Sequence, residues 1–234
     1  DDRYQYTEIA QPTLFALQVG LTRMLRQRRL MPVAVVGHSV GEVAAAWASG
    51  ALSLADAVAV IYQRSRLQGL TKGAGQMSAV AMGQPACTEL LLELGLEKRL
   101  VLAGANSSRG VTVAGCPQDL TRLEASLTAR QISFKRLDLD YAFHSPAMDT
   151  VEAEIRTSLA QLRPGATSIP FVSTVSGRQL PGEQLDAAYW WLNVRQPVAF
   201  AAAIDSLLDD GINLFVEIGP HPILRSYVSD CLHD

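Results

Sequence analysis

Apolar residues recur at helical spacing between Gln11 and Arg26, at Leu14, Phe15, Leu17, Val19, Leu21 and Leu25. This predicts an amphipathic helix with Arg23, Arg26 and Arg28 gathered toward its C-terminal end, the polarity that suits a helix dipole. Pro32 breaks the pattern, and the uninterrupted apolar run Val33–Val36 predicts a buried parallel strand. Small residues over Glu42–Ser49 predict a short helix stopped by Gly50. A second helix follows, with Ser53 or Asp56 near its start and Ala57, Val60 and Ile61 on its apolar face.

At Gly73-Ala74-Gly75 the pattern changes. Strand (Ser78–Met82), helix (Pro85–Leu94), strand (Leu100–Asn106), strand (Gly110–Ala114), helix (Pro117–Ala129) and strand (Ser133–Leu139) follow in a β-α-β-β-α-β order. That is the ferredoxin-like order, and about 65 residues form one such unit comfortably. The remainder predicts a helix over Ala147–Leu162, a strand at Pro170–Ser173 and a polar turn through Gly177, Pro181 and Gly182. The aromatic cluster Tyr189-Trp190-Trp191 comes next, then a helix over Pro197–Leu208. A last buried strand is predicted at Leu214–Ile218, then the turn Gly219–Pro222 and a terminal helix. The expected fold is α/β: a large α/β-hydrolase-like subdomain with a parallel sheet (residues 1–75 and 141–234) and an inserted ferredoxin-like small subdomain (76–140).

Composition narrows the classes. The chain has 234 residues, 48% of them apolar and 18% charged, with a net charge of −3. That is enough apolar material for one large or two modest cores. Mild acidity gives no electrostatic case for nucleic acid or an anionic membrane as partner. No apolar run approaches the roughly 20 residues that span a bilayer, and no secretory signal pattern opens the chain. Cys87, Cys116 and Cys231 are odd in number and widely spaced, which suits small core-filling thiols in a reducing compartment. The expected location is the cytoplasm, with no metal and no bound cofactor.

Candidate chemistry centres on Gly37-His38-Ser39-Val40-Gly41, a G-x-S-x-G pentapeptide between the predicted strand and helix. In a nucleophile elbow the glycines leave room for a strained serine, and the helix N-terminus faces the developing charge. A serine needs a base, usually histidine. His38 is adjacent in sequence, so its ring points elsewhere; His221 lies in a Pro-flanked turn and His233 is next to the C-terminus. His144 stands where the inserted unit ends, at a boundary that can form a cleft, and is the candidate base; the alternative is a core histidine with its hydrogen bonds satisfied. No acid between Ser39 and His144 is singled out as a third member, so a dyad oriented by a backbone carbonyl fits at least as well. Arg64 is either a solvated helix residue or a fork for a substrate carboxylate.

Six segments occurring in order resemble the acyltransferase domains of modular polyketide synthases and, more broadly, malonyl-CoA:acyl-carrier-protein transacylases. They are Thr7–Pro12, Gly37–Glu42, Arg64-Ser65, Tyr141–Pro146, Tyr189–Val198 and Glu217–Pro222. The resemblance implies that Ser39 accepts an acyl group from an acyl-CoA, with His144 as base. The phosphopantetheine thiol of an acyl carrier protein then takes that group. It implies that a main-chain carbonyl near Asn193–Phe200 orients the histidine, that Arg64 holds a malonyl-type carboxylate, and that the Val40 N–H is one oxyanion donor. Gln11, His38, Tyr141 and Phe143 are implied as substrate-binding positions, and neighbouring synthase domains as partners. The family's opening strand, ending in Gly-Gln-Gly and carrying a second oxyanion donor, has no counterpart in this sequence. Tyr141-Ala142-Phe143-His144 mixes the family's malonyl and methylmalonyl signatures; Phe143 and Val40 favour malonyl, with methylmalonyl-CoA as the competing donor. Two other classes share the elbow or the fold: a serine esterase or lipase, which would not need Arg64, and a non-catalytic carrier-protein docking module.

Overall fold

The computed structural model describes residues 5–233. Residues 1–4 lie outside the described residues. Helix α1 (Thr7–Gln27) leads to β1 (Val35–Val36), α2 (Gly41–Ser49) and α3 (Leu54–Gly69). The βαββαβ unit follows: β2 (Gln76–Val80), α4 (Gln84–Glu93), β3 (Leu100–Ser107), β4 (Gly110–Gly115), α5 (Pro117–Ala129) and β5 (Phe134–Arg136). The chain returns through α6 (Glu152–Ser158), β6 (Phe171–Ser173), β7 (Arg178–Leu180), α7 (Ala187–Arg195), β8 (Val198–Ala199), α8 (Phe200–Asp209) and α9 (Arg225–His233).

The elements form where local chemistry favours them. Ser53 caps α3, its hydroxyl accepting the Asp56 N–H at 3.0 Å, as an N-cap serine does. Gly50 closes α2 in the left-handed conformation, at φ +87°. Helix α1 starts one turn earlier than its apolar pattern predicts. That extra turn puts Thr7 and Gln11, four residues apart, on one face.

Two sheets result. The first has the order β1-β6-β7, with β1 and β6 parallel and β7 antiparallel at its edge. Among the described residues it is therefore mixed rather than wholly parallel. The second runs β5-β2-β4-β3-β8. Its first four strands are antiparallel in the ferredoxin-like order, so the fold is the expected α/β combination. Strand β8 belongs to the returning chain yet pairs parallel with β3, Gly104 opposite Val198 and Ala105 opposite Ala199.

Three expectations need correction. The helix predicted from Pro197 begins only at Phe200, because Val198 and Ala199 are taken into the ladder of β3. The helix predicted over Ala147–Leu162 is a 3₁₀ segment, Pro146–Val151, followed by the shorter α6; Ser145 caps that segment through the Ala147 N–H. The strand predicted at Leu214–Ile218 does not form. Among the described residues no ladder partner lies beside it, and Leu214 and Val216 are 81% and 69% exposed. An apolar run becomes a strand only where another strand satisfies its backbone.

Candidate active site

Ser39 ends the turn between β1 and α2 with φ +52°, a left-handed conformation that non-glycine residues adopt sparingly. Gly37 permits the turn: a Cβ there would lie 2.3 Å from the Glu42 nitrogen. Gly41 has no such duty, since the nearest atom to an added Cβ is 3.9 Å away. The expectation that both glycines make room therefore holds for the first alone. Val40 caps α2, and its N–H makes no hydrogen bond among the described residues.

The Ser39 Oγ lies 2.7 Å from His144 Nε2. His144 Nδ1 lies 2.9 Å from the Gln196 carbonyl oxygen. A carbonyl only accepts, so Nδ1 carries the proton and Nε2 presents its lone pair to the serine O–H. Burial, aided by the nearby charge of Arg64 and by His38, holds the His144 pKa down at about 3, against the bond to Gln196. The imidazole is neutral at working pH. A backbone carbonyl on the chain leaving α7 thus occupies the place where a triad would have an acid.

Arg64 projects from α3 into the same site and is 2% exposed. Its Nε donates to Asn193 Oδ1 at 3.0 Å, and Nη1 donates to Gln68 Oε1 at 2.8 Å and to Gln11 Oε1. Nη2 donates to Ser39 Oγ at 3.0 Å. Four of the five guanidinium N–H groups are thereby engaged; the second N–H of Nη2 has no partner among the described residues. Burial lowers the Arg64 pKa to about 9, opposed by the charge of Glu42. Glu42, on α2 and 0% exposed, accepts from the Thr174 N–H and hydroxyl, from Tyr189 Oη at 2.7 Å and from Asn193 Nδ2 at 2.7 Å. Burial raises its pKa, and those four bonds oppose the rise.

A cavity of about 190 Å³ opens beside the serine, lined by Gln11, Ser39, Val40, Arg64, Tyr141 and Phe143 among others. Tyr141 and Phe143 stack with centroids 4.9 Å apart and form one wall. Ser39, the unengaged Val40 N–H and the buried Arg64 cation therefore face one small space, with the neutral His144 hydrogen-bonded to the serine. The sequence matches the acyl transferase domain family over residues 2–234.

The chain belongs to the acyl transferase domain family.

Among its relatives are erythronolide synthase EryA2 of Saccharopolyspora erythraea, 38% identical over 97% of this chain, and mycoketide-CoA synthase of Mycobacterium tuberculosis, 36% identical over 95%. The chain spans 6% and 5% of those two proteins. Its structure superposes on the acyltransferase domain from module 8 of the salinomycin polyketide synthase with a TM-score of 0.93, at 36% identity. The match covers 97% of this chain and 53% of that one. MCAT from Streptococcus pneumoniae gives 0.88 at 25% identity, covering 98% and 76%.

Of the residues anticipated for this acyltransferase-family site, Ser39, Val40, Arg64, Gln11, Tyr141 and Phe143 line one cavity, and His144 reaches it through its hydrogen bond to Ser39. His38 does not reach it. Its Nε2 donates to Asn106 Oδ1 at 2.8 Å, and its ring tilts against Phe200 at 5.2 Å. Burial lowers its pKa. Sequence reasoning missed Glu42, Gln68, Asn106 and Asn193 as members of the polar network. A glutamate following the elbow at the start of an apolar small-residue helix was the one available signal; the others have none in their local sequence. Among the described residues no helix is long and apolar enough to cross a membrane.

Proposed function

We propose that this domain moves a malonyl-type acyl group from coenzyme A to the phosphopantetheine thiol of an acyl carrier protein, through an ester on Ser39. The observation that carries this reading is Arg64. It is a buried cation lining the cavity, bonded to the nucleophile, with one N–H left for an anionic ligand. A hydrolase acting on simple esters has no use for it. A relative offers support: the solved acyltransferase domain of SpnD, 32% identical, was obtained in complex with 2-(pent-4-yn-1-yl)malonyl.

On this reading Ser39 Oγ attacks the thioester carbonyl as its proton passes to His144 Nε2. The Val40 N–H donates to the oxyanion, and the family's pattern assigns the second donor to a Gly-Gln-Gly segment that this sequence does not contain. The thioester C–S bond breaks and the departing thiolate takes the proton from His144, giving free coenzyme A. The carrier thiol then gives its proton to His144 and attacks the ester carbonyl; the ester C–O bond breaks, the acyl group passes to sulfur, and Ser39 Oγ takes the proton back from His144. Arg64 grips the substrate carboxylate and fixes the ester against stray attack. Phe143 fills the space beside the acyl α-carbon, so malonyl is favoured over methylmalonyl. Discrimination over one methyl is worth about 1–3 kcal/mol. The same reading places residues 76–140 as the smaller subdomain, residues 1–75 and 141–234 as the larger, the reaction in the cytoplasm, and neighbouring synthase domains beside it.

The test is intact mass after incubation with malonyl-CoA. One malonyl adduct per chain is expected, absent in Ser39→Ala and reduced at least tenfold in Arg64→Ala. Turnover of simple esters without an adduct would overturn the reading. In competition with methylmalonyl-CoA, Phe143→Ser is expected to shift preference toward the branched donor.

A further inference from the structure

Arg64 is useful to a carboxylated substrate only if its one unengaged N–H faces the cavity, and three contacts set that orientation. Gln11 and Gln68 hold Nη1 and Asn193 holds Nε, leaving Nη2 beside Ser39. The contact at Nε depends on which way the Asn193 amide is turned. Were it flipped, an NH₂ would face the Nε–H, donor against donor, between two side chains that are each 2% exposed.

Two acceptors hold the amide in its working orientation. Asn193 Nδ2 donates to Glu42 Oε2 at 2.7 Å and to the Ser39 carbonyl at 3.2 Å. A carboxylate has acceptor sites only, so it demands the NH₂ side of the amide and leaves Oδ1 for the arginine. The carboxylate is itself clamped by Thr174, beyond β6, and by Tyr189 on α7. Glu42 touches neither the cavity nor the reacting atoms, yet α2, α7 and α3 are joined through it in one chain of hydrogen bonds.

We propose that Glu42, acting through Asn193, is a positioning residue that aims Arg64 at the acyl carboxylate and so sets the preference for dicarboxylic over monocarboxylic acyl groups. This rests on the carboxylate role of Arg64 proposed above. Glutamine at position 42 cannot substitute. Its NH₂ would oppose either the Thr174 N–H or the Asn193 NH₂.

Acylation of Ser39 by malonyl-CoA and by acetyl-CoA, each followed by intact mass in the full chain, tests this. The variants are Arg64→Ala, Asn193→Ala, Glu42→Gln and the double variant Arg64→Ala/Asn193→Ala. Asn193→Ala is expected to lower the malonyl-to-acetyl preference about tenfold or more, mainly through KM for malonyl-CoA, and to add nothing to that ratio once Arg64 is alanine. Glu42→Gln, corrected for its folded fraction, moves the ratio the same way; Asn193→Ala keeps the test decisive should Glu42→Gln not fold. A loss of both activities in proportion, or full additivity with Arg64→Ala, would overturn the proposal. If Arg64→Ala itself leaves the ratio intact, the carboxylate reading falls; if only Asn193→Ala does, this inference alone falls.

Discussion

Around Leu120, Leu123 and Leu127 the βαββαβ unit buries a cluster made only of aliphatic side chains and Cys87. Asp119, in the first turn of α5, is buried as well but meets the exposed Arg99 at 3.0 Å, and the part-buried Glu124 meets Arg136 at 2.6 Å. Beneath the elbow the interior is different. Glu42, Arg64, Gln68, His144 and Asn193 are all buried there, inside a cluster that also holds Val43, Ile61 and Trp190. A buried ion costs several kcal/mol unless its hydrogen bonds are complete, and replacing such groups with apolar ones is often neutral or stabilising. Their concentration beneath the elbow, against a carboxylate paired to a surface arginine in the small unit, marks where folding stability is given up for aimed donors and acceptors. The small unit is built to be stable; the elbow core is built to hold a cation, a lone pair and a strained serine in register.

The contrast breaks most visibly at His144. Replacing it with alanine should slow Ser39 acylation about 10²–10⁴-fold, the range of a general base, while thermal unfolding moves little. Leu123→Ala should do the reverse, lowering stability by about 2–5 kcal/mol in denaturant titration and leaving acylation per folded molecule unchanged. If the leucine variant loses activity beyond its unfolded fraction, the two cores are coupled more tightly than their chemistry implies.

A smaller effect concerns pH. An ordinary histidine base would lose half its neutral form near pH 6.5. With the His144 pKa held at about 3, acylation should stay flat from pH 8 to pH 5. Arg64→Ala removes one cause of that depression, so its acid limb should rise toward the ordinary range. Stability carries the matching sign. The folded histidine refuses protons that the unfolded chain binds below about 6.5, so its contribution is complete above that pH. It is lost as pH falls toward 3, by about 1.4 kcal/mol per pH unit. The raised Glu42 works the opposite way near and above 4.5, so the comparison to make is wild type against His144→Gln: the variant should show the shallower acid loss.

Much of this was legible along the chain, and for a reason common to all of it. The elbow, the α3 cap at Ser53, the stop at Gly50 and the βαββαβ order are written in nearest neighbours and short periods. Local backbone preference decides them. Ser39 could be named from its G-x-S-x-G motif and His144 from the scarcity of histidines, four in the chain, whereas Arg64 stood out only through the family resemblance. Leu214–Ile218 misled because an apolar run signals a willing strand and says nothing about whether a partner is there. Val198-Ala199 misled in the opposite sense, a helical pattern overruled by the free edge of β3.

The sequence by itself determined which candidates to look for, Ser39, His144 and Arg64, and the order of most of the elements that carry them, since each rests on residue identity and local pattern. Only the tertiary structure decided that a carbonyl at Gln196 stands in for an acid, that His38 faces Asn106 instead of the cavity, and that Asn193 links Glu42 to Arg64 across 151 and 129 residues of chain. Hydrogen bonds of that span leave no periodic trace. They exist because folding takes these groups out of water, and once buried each must find its partner among whatever the fold has brought near.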